Sequence, residues 1–268
     1  MMWTLNKSGT FEQNLERVAL AGYNQVELVS EFKNWSEPDA RRILARMRAL
    51  GIIVDAMAGM TLGFADSMGG EAFVAELKTL IPTAQRLGCH QIILLSGKRM
   101  ENASSPSHDA SIQNPSQYSA SVETLKRAGQ VLTAAGLVGV IEPIDRLENP
   151  SIYLDSVTEA FSIVRAVDNP SIRVLYDLYH EQRTHGNLIE KLENNIAWVG
   201  LIHVADVPGR HEPGTGEVNF GNIYRKLAQL KYKDTIAMEF YPTGDLVTTL
   251  RSAREQVLRG FDPGSSMR

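Results

Sequence analysis

The sequence predicts a closed α/β barrel of the (β/α)8, or TIM, type, and three observations carry that prediction. Short β-like runs alternate strictly with longer amphipathic segments, eight times along the chain. The runs are apolar, as in Gln91–Ser96, the mark of parallel strands covered on both faces. The length, 268 residues, suits a single barrel of about 250 residues. A doubly wound open sheet is the alternative, but no G-x-G-x-x-G follows the first strand, and Gly216–Gly221 does not fit that motif.

In order, Trp3–Asn6 reads as the first strand and Phe11–Ala21 as a helix stopped by Gly22. Gln25–Val29 is the second strand. The helix after it starts at Ser36, a capping residue, with Pro38 in its first turn, and ends at Leu50 before Gly51. Ile52–Met57 is the third strand, Gly70–Leu87 the third helix and Gln91–Ser96 the fourth strand. Gly97–Gln117, rich in Ser, Asn and Pro, is a long loop, either solvated or a lid. Tyr118–Ala135 is helical, Leu137–Glu142 the fifth strand, Asp155–Val167 a helix and Ile172–Tyr176 the sixth strand. Leu188–Asn194 is a short helix, Val199–Val204 the seventh strand, Phe220–Leu230 a helix, Thr235–Glu239 the eighth strand and Asp245–Arg259 the last helix. The barrel is expected over residues 1–260, with a loose tail over Phe261–Arg268.

Hydrophobic content of 43% and charged content of 22% are those of a globular protein with a sizeable core. A net charge of −4 argues against a nucleic-acid surface. The one cysteine, Cys89, excludes an intrachain disulfide and reads as a buried small residue. Met1–Gly9 lacks the apolar core of a signal peptide, and the longest weakly polar run, Val131–Ile141, is far short of the roughly 20 residues of a membrane helix. A cytoplasmic protein with no membrane partner is expected.

On this map the acids and histidines converge. Glu142 closes strand five, Asp177 follows strand six, His203 ends strand seven and Glu239 ends strand eight, at separations of 35, 26 and 36 residues. Four consecutive strands therefore aim Glu, Asp, His and Glu at one mouth of the barrel, where such folds carry their chemistry. Three converging carboxylates repel one another unless a divalent cation satisfies them. Oxygen-rich coordination with one imidazole suits Mn2+ or Mg2+, with Co2+ a further option.

The pattern resembles the xylose isomerase-like barrels, most closely the hydroxypyruvate isomerase group. The matching pieces are Ile141-Glu142-Pro143-Ile144, Tyr176-Asp177-Leu178-Tyr179-His180, Val207-Pro208-Gly209-Arg210-His211-Glu212-Pro213, Thr215-Gly216-Glu217 and Glu239, with a looser match over Gly22–Glu27. The resemblance implies one divalent metal held by Glu142, Asp177, His203 and Glu239. In the related ketose 3-epimerases the first and last glutamates also exchange protons with the substrate carbon. It implies substrate contacts from Glu148, His180 and Arg210, and a homo-oligomer. The chain departs from the hydroxypyruvate isomerase pattern at His203 and Asp206, where that group carries Gln, and at Tyr241, where it tends to carry Lys. His203 is the sugar-epimerase choice, and loss of a basic residue at Tyr241 favours a neutral, larger sugar.

Moving a proton beside a carbonyl needs a base, an electrophile for the developing enediolate and an acid to return the proton. Glu142 and Glu239 from strands five and eight are candidates to flank the carbon, with Arg210 anchoring a substrate oxygen and His180 shuttling a proton. The expected activity is isomerisation or epimerisation of a small keto-sugar or keto-acid. A lyase or dehydratase built on the same proton abstraction, such as 3-keto-glycoside cleavage, is the alternative. An endonuclease IV-like hydrolase and a non-catalytic sugar-binding subunit are further readings. Asp206 is a candidate to orient His203. His211 and Glu212 shape the loop or bind, and Trp35 and Phe64 either wall a sugar or pack. Lys98 and Arg99 either meet an anion or are solvated, and His90, His108 and His185 read as bystanders.

Overall fold

A computed structural model describes residues 1–100 and 112–262 of the chain. Seven strands lie side by side in sequence order, all parallel: β1 (Gln25–Val29), β2 (Ile53–Ala58), β3 (Gln91–Leu94), β4 (Val138–Ile141), β5 (Ile172–Asp177), β6 (Val199–Val204) and β7 (Thr235–Met238). Helices α1 (Phe11–Leu20), α2 (Glu37–Ala49), α3 (Gly70–Leu87), α4 (Pro115–Ala135) and α5 (Val157–Val167) follow the first four strands or precede them. Helices α6 (Leu178–Thr184), α7 (Leu188–Asn195), α8 (Phe220–Gln229) and α9 (Leu246–Phe261) complete the outer layer.

The helices begin where capping chemistry places them. Thr10 and Gln13 form a reciprocal capping box on α1, Ser36 caps α2 ahead of Pro38, and Asn114 caps α4 ahead of Pro115. Asn114 thus starts α4 three residues earlier than the periodicity indicates. Helix α6, which the sequence reading did not separate, is capped by Asp177 itself.

Two apolar layers hold the barrel together. The larger lies between strands and helices, around Leu15, Phe73, Leu125, Phe161, Tyr176 and Tyr224. The smaller fills the interior with one residue from each of six strands: Ala56, Ile93, Val140, Leu175, Leu201 and Ala237. Side chains alternate along a strand, so the residue two positions on also faces inward. Two past Val140, Leu175, Leu201 and Ala237 stand Glu142, Asp177, His203 and Glu239. The ligand layer is the interior packing layer continued one step toward the mouth.

The expected first strand is absent: Trp3–Leu5 is a short 3-10 helix, and the sheet has seven strands among the described residues. Its backbone bonds are local, with Leu5 N–H donating to Met2 O and Asn6 N–H to Trp3 O, and the Thr4 hydroxyl bonds back to Met1 O. The residues before it take the seam instead. The Met1 amino group donates to Met238 O on β7 (2.9 Å), and Met2 N–H donates to Glu27 O on β1 (3.0 Å). A cavity of about 210 Å3 lies along that seam, between Tyr23, Phe240 and Leu250. No described helix is long and apolar enough to cross a membrane. The tip of the predicted Gly97–Gln117 loop, with His108, and all but the first two residues of the predicted tail lie outside the described residues.

Candidate metal centre

Each of the four predicted ligands arrives from a strand end. Asp177 pairs in register with His203 across β5 and β6. Glu142 and Glu239 stand just past β4 and β7 but keep the ladder, donating their N–H groups to Leu94 O (3.2 Å) and Val204 O (3.0 Å). All four are buried, and one ligand atom from each lies within 4.8 Å of the others.

The donor set fits a divalent cation. Asp177 spends Oδ1 on the α6 N-terminus, accepting from Tyr179 N–H (2.7 Å) and His180 N–H (3.2 Å). Its Oδ2 is buried, faces the cluster and has no hydrogen-bond partner. A buried carboxylate oxygen left bare is costly unless a cation meets it. His203 turns Nδ1 to Glu239 Oε2 (2.9 Å) and toward Glu142 Oε1 (4.0 Å).

The two glutamates differ. Glu239 is gripped from three sides: Arg210 Nη2 donates to Oε2 (2.7 Å), Trp3 Nε1 to Oε1 (3.0 Å), and His203 lies beside it. Burial alone would raise its pKa, but the His203 and Arg210 charges outweigh burial and hold the carboxyl far below its usual range. Glu142 has no such donor. Burial, and then the Glu239 charge, pushes its carboxyl up to about 7. His203 is fully buried, which would lower its pKa, yet the Glu27 and Glu239 carboxylates raise it well above the ordinary imidazole value.

Arg210, His180 and Glu148 line the same mouth. The Arg210 guanidinium lies over the Tyr179 ring (5.1 Å) and the Trp3 ring (5.5 Å), with Asp177 Oδ2 at 3.8 Å and Glu148 Oε2 at 3.8 Å. His180 Nδ1 meets Asp145 Oδ2 at 2.6 Å and leaves Nε2 3.5 Å from Asp177 Oδ2. Glu148 accepts from Tyr179 Oη (2.9 Å) and Arg183 Nη1 (2.8 Å).

The loop after β6 has a different architect from the one expected. Asp206 does not touch His203; its buried carboxylate collects the N–H groups of Val207, Gly214 and Gly216 (2.9 Å each) and Val218 (3.1 Å). Two side-chain oxygens so engaged have no capacity left to orient an imidazole. The loop they fold presents Arg210 in the left-handed region, φ 58°, a conformation costly for a side chain with a Cβ. Asp206 O and Tyr241 N–H clamp the Arg210 backbone there. Gly216 passes so close that a Cβ would lie 2.0 Å from Val207 O. His211 and Glu212 serve the same loop, bonding Tyr241 O and Thr243.

The aromatic neighbours of the site are Trp3, Tyr179 and Tyr241, and Trp35 and Phe64 take the packing alternative. Phe64 is buried edge-to-face on Phe73, and Trp35 packs against Phe11. The backbone of Lys98 bridges to Ile152 and the Arg99 N–H donates to Ser151 O, while both side chains are exposed. Cys89 is buried, its thiol pushed up to about 12 by burial. His90 and His185 are exposed.

Sequence reasoning missed Glu27 and Trp3. Glu27 sits at the centre of β1, and its charge in a buried run was the available signal. Trp3 was hidden inside the misread strand.

Residues 15–259 match the model of the xylose isomerase-like TIM barrels. The chain belongs to that family. It is 33% identical over 263 residues to a putative hydroxypyruvate isomerase of Danio rerio, covering 94% of this chain and 92% of the relative. It is 28% identical over 193 residues to the hydroxypyruvate isomerase of Escherichia coli K12, covering 72% and 68%. Among solved structures, the D-psicose 3-epimerase of Clostridium cellulolyticum H10, described with D-tagatose, superposes with a TM-score of 0.77 at 18% identity over 95% of this chain and 94% of that one. That last likeness concerns the fold. The named isomerases mark the chain as an enzyme of the isomerase kind.

Proposed function

We propose that this barrel is a divalent-metal-dependent isomerase or epimerase that moves a proton beside the carbonyl of a small keto-acid or keto-sugar through an enediolate. The observation that carries the reading is the asymmetry of two glutamates in one buried cluster. Glu239 is an anion held by two donors, Arg210 and Trp3, with His203 beside it, while Glu142 has no such donor and burial pushes its carboxyl up to about 7. A carboxyl poised near the working pH is suited to take and return a proton, and a carboxylate pinned by cations is suited to remain charged.

Glu142, Asp177, His203 and Glu239 would hold the ion. When bound, a divalent cation polarises the carbonyl and fixes the substrate's oxygens. The chain's own groups do the rest. Glu142 takes the proton from carbon and returns it, and Glu239 faces it from β7 as the fixed negative charge across the site. Arg210, stiffened between two rings, anchors a carbonyl, hydroxyl or carboxylate oxygen, with His180 and Glu148 binding further oxygens. The aromatic Trp3, Tyr179 and Tyr241 wall and the absence of a basic residue at Tyr241 support a neutral sugar beside hydroxypyruvate as substrate.

The test is a panel assay of the Mn2+- or Mg2+-loaded protein on hydroxypyruvate, D-psicose, D-tagatose and a 3-keto-glycoside. Isomerised or epimerised product, lost on chelation, is expected; release of an aglycone would move the reading to the lyase. The reading extends to a homo-oligomer. Leu62, Met68, Met100 and Leu147 are exposed on the loops after β2, β3 and β4, and offer an apolar surface for it. Light scattering on the eluting protein should give a mass above 29.6 kDa.

A further inference from the structure

Glu27 is the one acid of the barrel interior with no role in the site as described. It lies on β1 beside Ala56 of β2, at the level of the interior packing layer, and is 2% exposed. Its side chain meets a single polar partner among the described residues. His203 Nε2 lies 3.3 Å from Oε1 and 3.2 Å from Oε2. The neighbouring acid, Asp55, has its own donor in Gln91 Nε2 at 3.4 Å. Among the described residues His203 Nε2 is therefore the one hydrogen-bonding group that meets the Glu27 carboxylate, with the Asp55 carboxyl nearby.

The two nitrogens of His203 are divided. Nδ1 faces Glu239 and Glu142, the ligand side, while Nε2 faces Glu27. A neutral imidazole carries its proton on one nitrogen and offers a lone pair on the other. Carboxylates stand at both nitrogens, but an ion held by Glu239 and Glu142 would claim the Nδ1 side, which leaves Glu27 to select the proton for Nε2. We propose that Glu27 is the positioning residue of the metal centre: it holds the proton of His203 on Nε2, leaving Nδ1 as the lone-pair donor to the divalent ion. This deepens the metal-dependent reading above and rests on it. A carboxylate in that position also makes the imidazole a better base toward the ion and fixes the ring plane. The β1 strand thereby contributes to a centre whose ligands all come from β4 to β7.

Two measurements on the full-length protein test this, neither of which needs the substrate. In the first, metal-stripped protein is titrated with Mn2+ and free Mn2+ is followed by electron paramagnetic resonance. Glu27→Gln, close in shape but neutral, should weaken Mn2+ binding about 10- to 100-fold. Affinities within twofold of wild type would overturn the proposal. Wild-type protein that binds no Mn2+ would overturn both it and the metal-centre reading, whereas tight wild-type binding with an indifferent Glu27→Gln removes only the role of Glu27. The second does not depend on the variant folding. In wild-type protein labelled with [15N]histidine and loaded with Zn2+, His203 should show its proton on Nε2 and the metal on Nδ1. The reverse tautomer would overturn the proposal.

Discussion

Asp177 Oδ2 and Glu142 define the site at the scale of single residues. The first is a buried oxygen with Arg210 and His180 nearby but no hydrogen bond; the second is a carboxyl raised to about 7 with no donor to hold it. Removing the charge of Glu142 should cost the proton transfer more than the cation. Glu142→Gln is expected to lose about 10^2- to 10^4-fold in kcat, the ordinary worth of a general base, while calorimetry still finds a bound ion. Full activity with the ion in place would contradict that role. Glu159 gives a test away from the site. It is buried in the first turn of α5, with Tyr153 Oη at 2.5 Å and Oε2 unpartnered, and burial raises its carboxyl to about 7. The folded state thus keeps a proton that the unfolded chain releases in the usual carboxylate range. Stability falls as pH rises from about 4.5 to about 7, by on the order of 3 kcal/mol, and stays lower above it. Glu159→Gln should flatten that slope in urea unfolding series at pH 5, 6, 7 and 8; an unchanged slope would contradict the assignment.

At the scale of elements, the loop between β6 and α8 works because one carboxylate organises it. Asp206 holds four N–H groups, and the geometry they fix presents Arg210 at positive φ over Glu239. Asp206→Ala strands those donors in a buried place. Thermal and urea unfolding should show a loss of about 2–4 kcal/mol, with a rise in KM as Arg210 is released. The sequence revealed that this loop was built for a purpose, since glycines and prolines among charges do not arise from a solvated connection. It did not reveal which acid was the architect. Asp206 and His203 are three residues apart on paper, and only the folded loop brings the N–H groups of Val207, Gly214, Gly216 and Val218 around the carboxylate. The strand ends were legible for a simpler reason: period-2 alternation carries Val140 to Glu142 and Ala237 to Glu239 without any long-range information. Trp3–Leu5 was illegible for the converse reason. An apolar triplet supports a strand or a helical turn equally, and the choice is made by contacts with β1, β7 and Glu239 that lie far along the chain.

The whole molecule is an apolar barrel with a charged lid to its core. Six inward residues pack an apolar layer, and two positions on, the next inward residues of β4 to β7 set three acids and an imidazole within one ion's reach. That arrangement stores repulsion that an ion relieves. Stripping the protein of divalent metal should lower Tm, and restoring Mn2+ at about 100 times its Kd should return roughly 2.7 kcal/mol, or about 5–10 °C for a chain of this size. An unchanged Tm would remove the ion from the folding balance.

Proton exchange with solvent reaches the central claim most directly. Metal-loaded protein is incubated in D2O with hydroxypyruvate or with the ketose that the panel assay selects, and deuterium on recovered substrate and product is read by mass spectrometry. Enediolate chemistry predicts deuterium at the carbon beside the carbonyl, lost on chelation and lost in Glu142→Gln. Turnover with no deuterium gained from solvent in either species, undiminished by Glu142→Gln, would contradict it.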